Sequence, residues 1–284
     1  MKIGETIKKI FKFLVITIMM AAICVSGYNL WKMSERYVQE TQVKDSIAKY
    51  RPLIATASTT QPTEYCAAEN TETAETETTE ITKVTEAGTA TQPEKSTVNQ
   101  SIIDLQDNVN KDIVGWINIP NTHIDYPFVI SKDDNDYLRR DLHGNYALSG
   151  TVFMDYRCSK DFTDFNTIIY GHNMKNNSMF GDLTLFADEG FFNSNRTGTI
   201  FLADRVYTLE FFAYMTVNAN DKIIYNTAYT PEQRGEYFEY VKKAARNYID
   251  IDNINNANIL TLSTCSYQFD GARAVLLAAI IHAG

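Results

Sequence analysis

The run Asn258-Ile259-Leu260-Thr261-Leu262-Ser263-Thr264-Cys265 ends in a cysteine, and Arg273 follows after a short polar stretch. Its apolar and β-branched content reads as a strand that carries a thiol to its end. The arginine falls where the next strand would bring it back alongside. Upstream, Tyr170-Gly171-His172-Asn173-Met174 closes a second strand-like run, Thr167 to Tyr170. A thiol, an imidazole and a permanent cation are the minimum set for acyl transfer through a thioester: a nucleophile, a proton carrier and a donor to the oxyanion. With ordinary pKa values of about 8.5 and 6.5, about 3% of such a thiol is ionised at pH 7 and roughly a quarter of such an imidazole is cationic. If the two titrate independently, on the order of 1% of molecules carry the ion pair. A slow enzyme could work on that fraction, whereas a fast one needs neighbours that lower the thiol pKa.

Each of these residues has a plainer reading. An isolated strand cysteine is most often a small buried hydrophobe. His172 could be a turn histidine, and Arg273 could simply pair with Asp270. His143, in Leu142-His143-Gly144-Asn145, is the rival imidazole, in a context that reads as a turn; His123 and His282 read as structural. Of the four cysteines, Cys24 lies in an apolar segment, Cys66 in a polar linker and Cys158 in a charged loop. No C-x-x-C or His-rich spacing implies a metal. Asp133, Asp134 and Asp136 lack the pattern of a calcium loop, and no cofactor is implied.

The elements that must hold the site follow from patterning. The 284 residues carry a net charge of −9, an acidic balance that argues against nucleic acid as a partner. Phe13 to Leu30 is an apolar run close to the length that crosses a bilayer. Lys2, Lys8, Lys9 and Lys12 precede it, which keeps the N-terminus cytoplasmic and sends the rest outside. A cleaved signal peptide is the competing reading, weakened by the length of the run and the lack of a clear A-x-A site. The expected division is therefore a basic tail (1–12), an anchor (13–31), a juxtamembrane helix with a Thr/Glu-rich spacer (32–100) and a catalytic domain (101–284). The spacer has almost no large apolar residues, so it is expected to be a flexible, extended tether that holds the domain away from the membrane.

In the domain, a short helix is expected over Ser101–Val109. Strands are expected at Val114–Ile119, Ile124–Val129, Thr151–Met154, Thr167–Tyr170, Gly198–Ala203, Tyr207–Met215, Ile259–Cys265 and Ala274–His282. Thr230 offers an N-cap before Pro231 and Glu232, opening a helix whose apolar stripe is Tyr237, Tyr240, Val241, Ala244 and Ala245. About eight short strands with a late helix point to a mainly β fold, a closed or nearly closed barrel.

With these motifs in place, the chain resembles the sortases, the membrane-anchored cysteine transpeptidases of Gram-positive bacteria. The resemblance rests on Thr261-Leu262-Ser263-Thr264-Cys265, Arg273, Tyr170-Gly171-His172-Asn173-Met174 and Gly115-Trp116-Ile117, and covers residues 101–284; class B is most similar. It implies a sortase-like β-barrel with an N-terminal helix and a long helix before the cysteine strand. It also implies that Cys265 attacks the threonine carbonyl of an N-P-x-T-like sorting motif on a secreted protein, that His172 carries protons and that Arg273 supports the oxyanion. The acceptor would be a peptidoglycan amine, or a pilin lysine in an assembly enzyme. Ser263, two residues before the cysteine on one strand face, Tyr137, Leu138 and Tyr225 are candidate substrate contacts. Ser266 stands where some class B members carry an acidic residue. A surface cysteine hydrolase and a non-enzymatic surface protein are the alternatives from other classes.

Overall fold

A computed structural model of the chain describes residues 2–52, 98–266 and 268–282. The Thr/Glu-rich segment and Cys66 lie outside the described residues. Helix α1 (Lys2–Ala48) is continuous, and its stretch Phe11–Glu35, mean hydropathy 2.0, is long and apolar enough to cross a membrane. Helix α2 (Gln100–Asn108) follows, within one residue of its expected position.

The sheet is built from β1 (Ile113–Asn118), β2 (Asp125–Ile130), β3 (Val152–Met154), β4 (Asn166–Tyr170), β5 (Thr197–Leu202), β6 (Val206–Asn218), β7 (Asn247–Tyr248), β8 (Asn258–Cys265) and β9 (Ala272–His282). Eight of these pair in the order β5-β1-β2-β3-β4-β8-β9-β6, and a β5–β6 pairing closes the barrel. Closure removes the exposed edges that an open sheet would offer to other chains. Strand β9 shows why its sequence is apolar from Ala274 to Ile281. Leu276, Ala278 and Ile280 fill the interior, while Val275 and Leu277 pack outward under helix α4 (Arg234–Ala244). A strand covered on both faces loses the polar alternation of a half-buried one. Gly115 serves a close approach: a Cβ there would run into the Phe201 carbonyl of β5.

All eight expected strands are present, and two features differ from expectation. Strand β6 runs to Asn218 because it pairs with β9 as far as Ala272, bending at an irregularity between Phe211 and Ala213. Strand β7 is a two-residue addition to β6, too short to show any periodicity. The late helix opens through a 3₁₀ turn, Pro231–Gln233, where the Thr230 N–H donates to Gln233 Oε1 at 3.0 Å. Its buried face is Tyr237, Phe238 and Val241. Between β4 and α4 also lies the short helix α3 (Glu189–Ser194).

The end of α1 packs on the barrel. Ile47 is buried with Ile102, Leu105 and Trp116, and Arg51 Nε pairs with Asp125 Oδ2 at 2.7 Å. The helix thus reaches the barrel before the Thr/Glu-rich segment begins. Asn99, on its far side, is also tied to the barrel, donating to the Ala203 carbonyl at 2.7 Å.

Candidate active site

Parallel pairing of β4 and β8 places the candidate thiol and imidazole. Tyr170 is the register partner of Ser263, so His172 and Cys265, each two residues further on, leave neighbouring strand ends at the same level. On the other flank β8 and β9 are antiparallel with Cys265 directly opposite Arg273. Opposed residues project to the same face. The cysteine therefore stands at the barrel rim between the strand ends that carry the imidazole and the guanidinium.

Beyond the last paired residue a strand ladder no longer fixes the two ends, and specific bonds take over. The Gly171 N–H donates to the Ser263 carbonyl at 3.1 Å, the buried Thr264 hydroxyl donates to the Gly171 carbonyl at 2.7 Å, and Asn173 Nδ2 donates to the Cys265 carbonyl at 2.8 Å. The Phe180 N–H then closes on the His172 carbonyl at 2.9 Å. Gly171 has to be glycine, because a Cβ would stand 2.5 Å from the Phe180 ring.

Burial lowers the His172 pKa, and the nearby Arg139 charge lowers it further. The neutral imidazole thus dominates at pH 7 more than in a free histidine. Cys265 is exposed, whereas Cys158 is buried, with its thiol pushed up to about 12 by desolvation. Arg273 Nη1 donates to the Ala272 carbonyl at 3.1 Å, and among the described residues no ion pair joins it to Asp270. The pH profile should carry the imprint of Arg139. If rate depends on a cationic His172 beside a thiolate, the acid limb of kcat/KM follows the histidine and lies below the ordinary value near 6.5. Removing a neighbouring cation relieves the penalty on the imidazolium and raises its pKa. Arg139→Gln is therefore expected to move the acid limb to higher pH; an unmoved limb would detach Arg139 from the site.

The candidate substrate contacts separate. Tyr225 lies beside the cysteine strand: its hydroxyl meets Ser263 Oγ at 2.9 Å, its ring stacks on Tyr170, and burial raises its phenol to about 12. Ser263 shares the face of Cys265 but is 1% exposed, beneath Tyr225. Leu138 is exposed. Tyr137 is buried in the core under α2, its hydroxyl donating to Asp112 at 2.7 Å. That side chain supports the fold and has no surface to offer a peptide. The rival imidazoles lie elsewhere: His143 Nε2 meets Ser46 Oγ at 3.1 Å, and His123 pairs with Asp182 at 2.7 Å. The loop carboxylates also have local partners. Asp133 accepts from the Asn135 and Asp136 N–H groups, Asp134 from that of Tyr156, and Asp136 from Ser131 and Arg140.

Sequence reasoning missed Asn173, Thr264 and a buried network behind Tyr225. Asp155 accepts three bonds from Arg157, from its backbone N–H at 3.0 Å and its guanidinium at 2.8 and 2.6 Å, and one from the Tyr170 hydroxyl at 3.0 Å; Arg157 in turn donates to the Tyr225 carbonyl at 3.1 Å. The available signal was Asp155-Tyr156-Arg157 directly after a strand, a spacing that lets an arginine fold back on an aspartate.

No protein-family model matches the chain. It is similar to sortase B of Listeria monocytogenes, with 36% identity over 184 residues that span 64% of this chain and 73% of that protein. Among solved structures, sortase B of Clostridium perfringens superposes with a TM-score of 0.60 at 33% identity, covering 63% of this chain and 98% of that one. A Staphylococcus aureus sortase B–substrate complex gives a TM-score of 0.61 at 28% identity, over 66% of this chain and 87% of that one.

Proposed function

The chain belongs to the sortase family, with class B relatives, and is a cysteine transpeptidase of that type; from this premise we propose that Cys265, His172 and Arg273 carry the reaction. The thiolate of Cys265 attacks the carbonyl carbon of the threonine in an N-P-x-T-like sorting motif. Arg273 donates hydrogen bonds to the oxyanion, a task suited to a fixed guanidinium. As the C–N bond breaks, His172 gives a proton to the leaving amine, and a thioester joins donor and enzyme. An amine of a peptidoglycan peptide then attacks the thioester. The C–N bond forms, the C–S bond breaks with its electron pair retained on sulfur, and the amine proton passes to His172.

The observation that carries this reading is the register that sets an exposed Cys265 level with His172 and opposite Arg273. Lowering of the His172 pKa puts the cationic fraction at pH 7 below a quarter, so the reactive ion pair is scarcer than ordinary pKa values give unless the thiol compensates. Tyr225 and Leu138 are proposed to line the donor cleft. The apolar stretch Phe11–Glu35 supports a single-pass anchor with a cytoplasmic lysine-rich tail and residues 101–284 as the catalytic domain at the Gram-positive surface.

The test uses the full chain in detergent with a quenched N-P-x-T-containing peptide, with and without an added amine, beside Cys265→Ala. Mass spectrometry is expected to show an amine-ligated product that requires Cys265. Free acid alone at high amine would favour hydrolysis, and equal cleavage by the alanine variant would remove Cys265 from the mechanism.

A further inference from the structure

A groove of about 970 Å³ runs between residues 41–47 of α1 and the barrel. We propose that it seats the acceptor, an amine-bearing glycopeptide, and delivers the amine to the His172 side of Cys265. This inference rests on the transpeptidase reading above and names the second substrate's place in it.

Three observations converge. The imidazole does not itself line the groove, but two of the groove's walls are bonded to residues around it. One wall is the 176–179 turn, where Met179 bridges to Asn173, the residue that holds the Cys265 carbonyl. Another is the 147–150 loop, where Leu148 accepts a hydrogen bond from Arg139 at 2.5 Å, the same arginine whose charge His172 feels. An incoming amine must surrender its proton at His172, so it has to arrive on this side.

The size and lining fit more than an amine. The volume lies near the top of the roughly 300–1,000 Å³ range of small-ligand sites, more than an amino side chain alone would fill. Tyr146 stands 70% exposed at the groove, a ring face suited to the C–H face of a sugar. Beside it are amides and hydroxyls that suit sugar hydroxyl and N-acetyl groups. One is Asn176, whose Oδ1 accepts from the Ser178 hydroxyl at 2.7 Å while its Nδ2 remains a donor. Lys44 on the α1 wall, 5.7 Å from the Tyr126 ring centre, favours carboxylates and repels an amine, which orients a peptide with its amine away from α1.

Position supplies the third observation. The groove starts at Thr41, six residues beyond the end of the apolar stretch at Glu35. At 1.5 Å per residue it opens about 9 Å from that end, close to where wall precursors and wall polymer meet the membrane.

The experiment compares two acceptors on the full chain in detergent micelles: a peptide bearing a free side-chain amine, and the same peptide joined to an N-acetylated disaccharide. Tyr146→Ala is expected to raise the half-saturating concentration of the glycopeptide about tenfold, with that of the sugar-free peptide and of the donor unmoved. Tyr146→Phe should restore it, because the ring face remains. Calorimetric titration of the glycopeptide into the Cys265→Ala chain, with and without Tyr146→Ala, reads the groove even if the donor motif is wrong; about a tenfold weaker Kd is expected. An unchanged Kd, or an equal loss for both acceptors, overturns the proposal. Failure of the transpeptidase reading shows separately, as donor cleavage that does not depend on Cys265.

Discussion

Replacing Cys265 by serine is expected to lower acyl transfer at least about 10⁴-fold while leaving the thermal midpoint essentially unchanged. The side chain is exposed at the end of β8, so an oxygen in place of sulfur disturbs no packing, and exposed substitutions of this kind usually change stability by less than about 0.5 kcal/mol. The chemical effect is large because the attacking species must be an anion. A thiol reaches that state in a measurable fraction at pH 7, whereas an alkyl hydroxyl needs a strong base at the moment of attack. The neighbouring imidazole is a poorer base than free histidine, since burial and Arg139 lower its pKa. No other described thiol of the barrel can stand in: Cys158 is 6% exposed, its Sγ donates to the Asn166 carbonyl, and its thiol sits at about 12. The check is single-turnover acylation followed by intact-mass spectrometry, paired with a melting curve. Activity within tenfold of the unaltered chain would assign the nucleophile elsewhere.

How much of this was legible beforehand divides along physical lines. Eight strands, the three-residue β3 among them, are legible in their apolar and β-branched content, and the thiol, arginine and histidine motifs in order, with Gly115-Trp116-Ile117, carry the family resemblance. The pairing of β4 with β8 was not legible, since parallel neighbours far apart in sequence share no local signal. Neither were the bonds from Thr264 and Asn173, which link a side chain to a carbonyl more than ninety positions away. The period of two placed Ser263 on the face of Cys265 correctly. It could not reveal that Tyr225 covers that face, because burial depends on what lies above a strand. Tyr137 failed for a related reason. An aromatic in a single 3₁₀ turn has no periodicity to say which way it points, and here it points into the core under α2. The Thr/Glu-rich segment lies outside the described residues; what the structure adds is that Ile47 before it and Asn99 after it both join the barrel body, contacts with no local sequence signal.

The Asp155 network supports the second large expectation. Asp155 is fully buried, and burial alone would raise its pKa, but the hydrogen bonds from Arg157 and Tyr170 more than offset that and hold the carboxyl below its ordinary value. Asp155→Ala would remove the acceptor of the Tyr170 hydroxyl, of the Arg157 N–H and of two guanidinium bonds, leaving the guanidinium only its bond to the Tyr225 carbonyl. Breaking one side of a buried pair typically costs about 3–5 kcal/mol. The Arg157 side chain is 41% exposed and can turn to water, so about 2–3 kcal/mol is the better expectation here. For a domain of this size that is a fall in Tm of roughly 5–10 °C. Acid dependence provides the sign test. A carboxyl whose folded pKa is depressed contributes stability that is present above its unfolded pKa, 3.8, and is lost as pH falls through the folded value. The gap in Tm between the two proteins should therefore be full at neutral pH and narrow below pH 3.8. A gap constant across that window would mean that the loss comes from packing and not from the charge. Activity should fall as well, because Arg157 holds the Tyr225 carbonyl and Tyr170 stacks on its ring. Slack in Asp155 would reach the cysteine strand through the Tyr225–Ser263 bond, lowering kcat at temperatures where the variant remains folded.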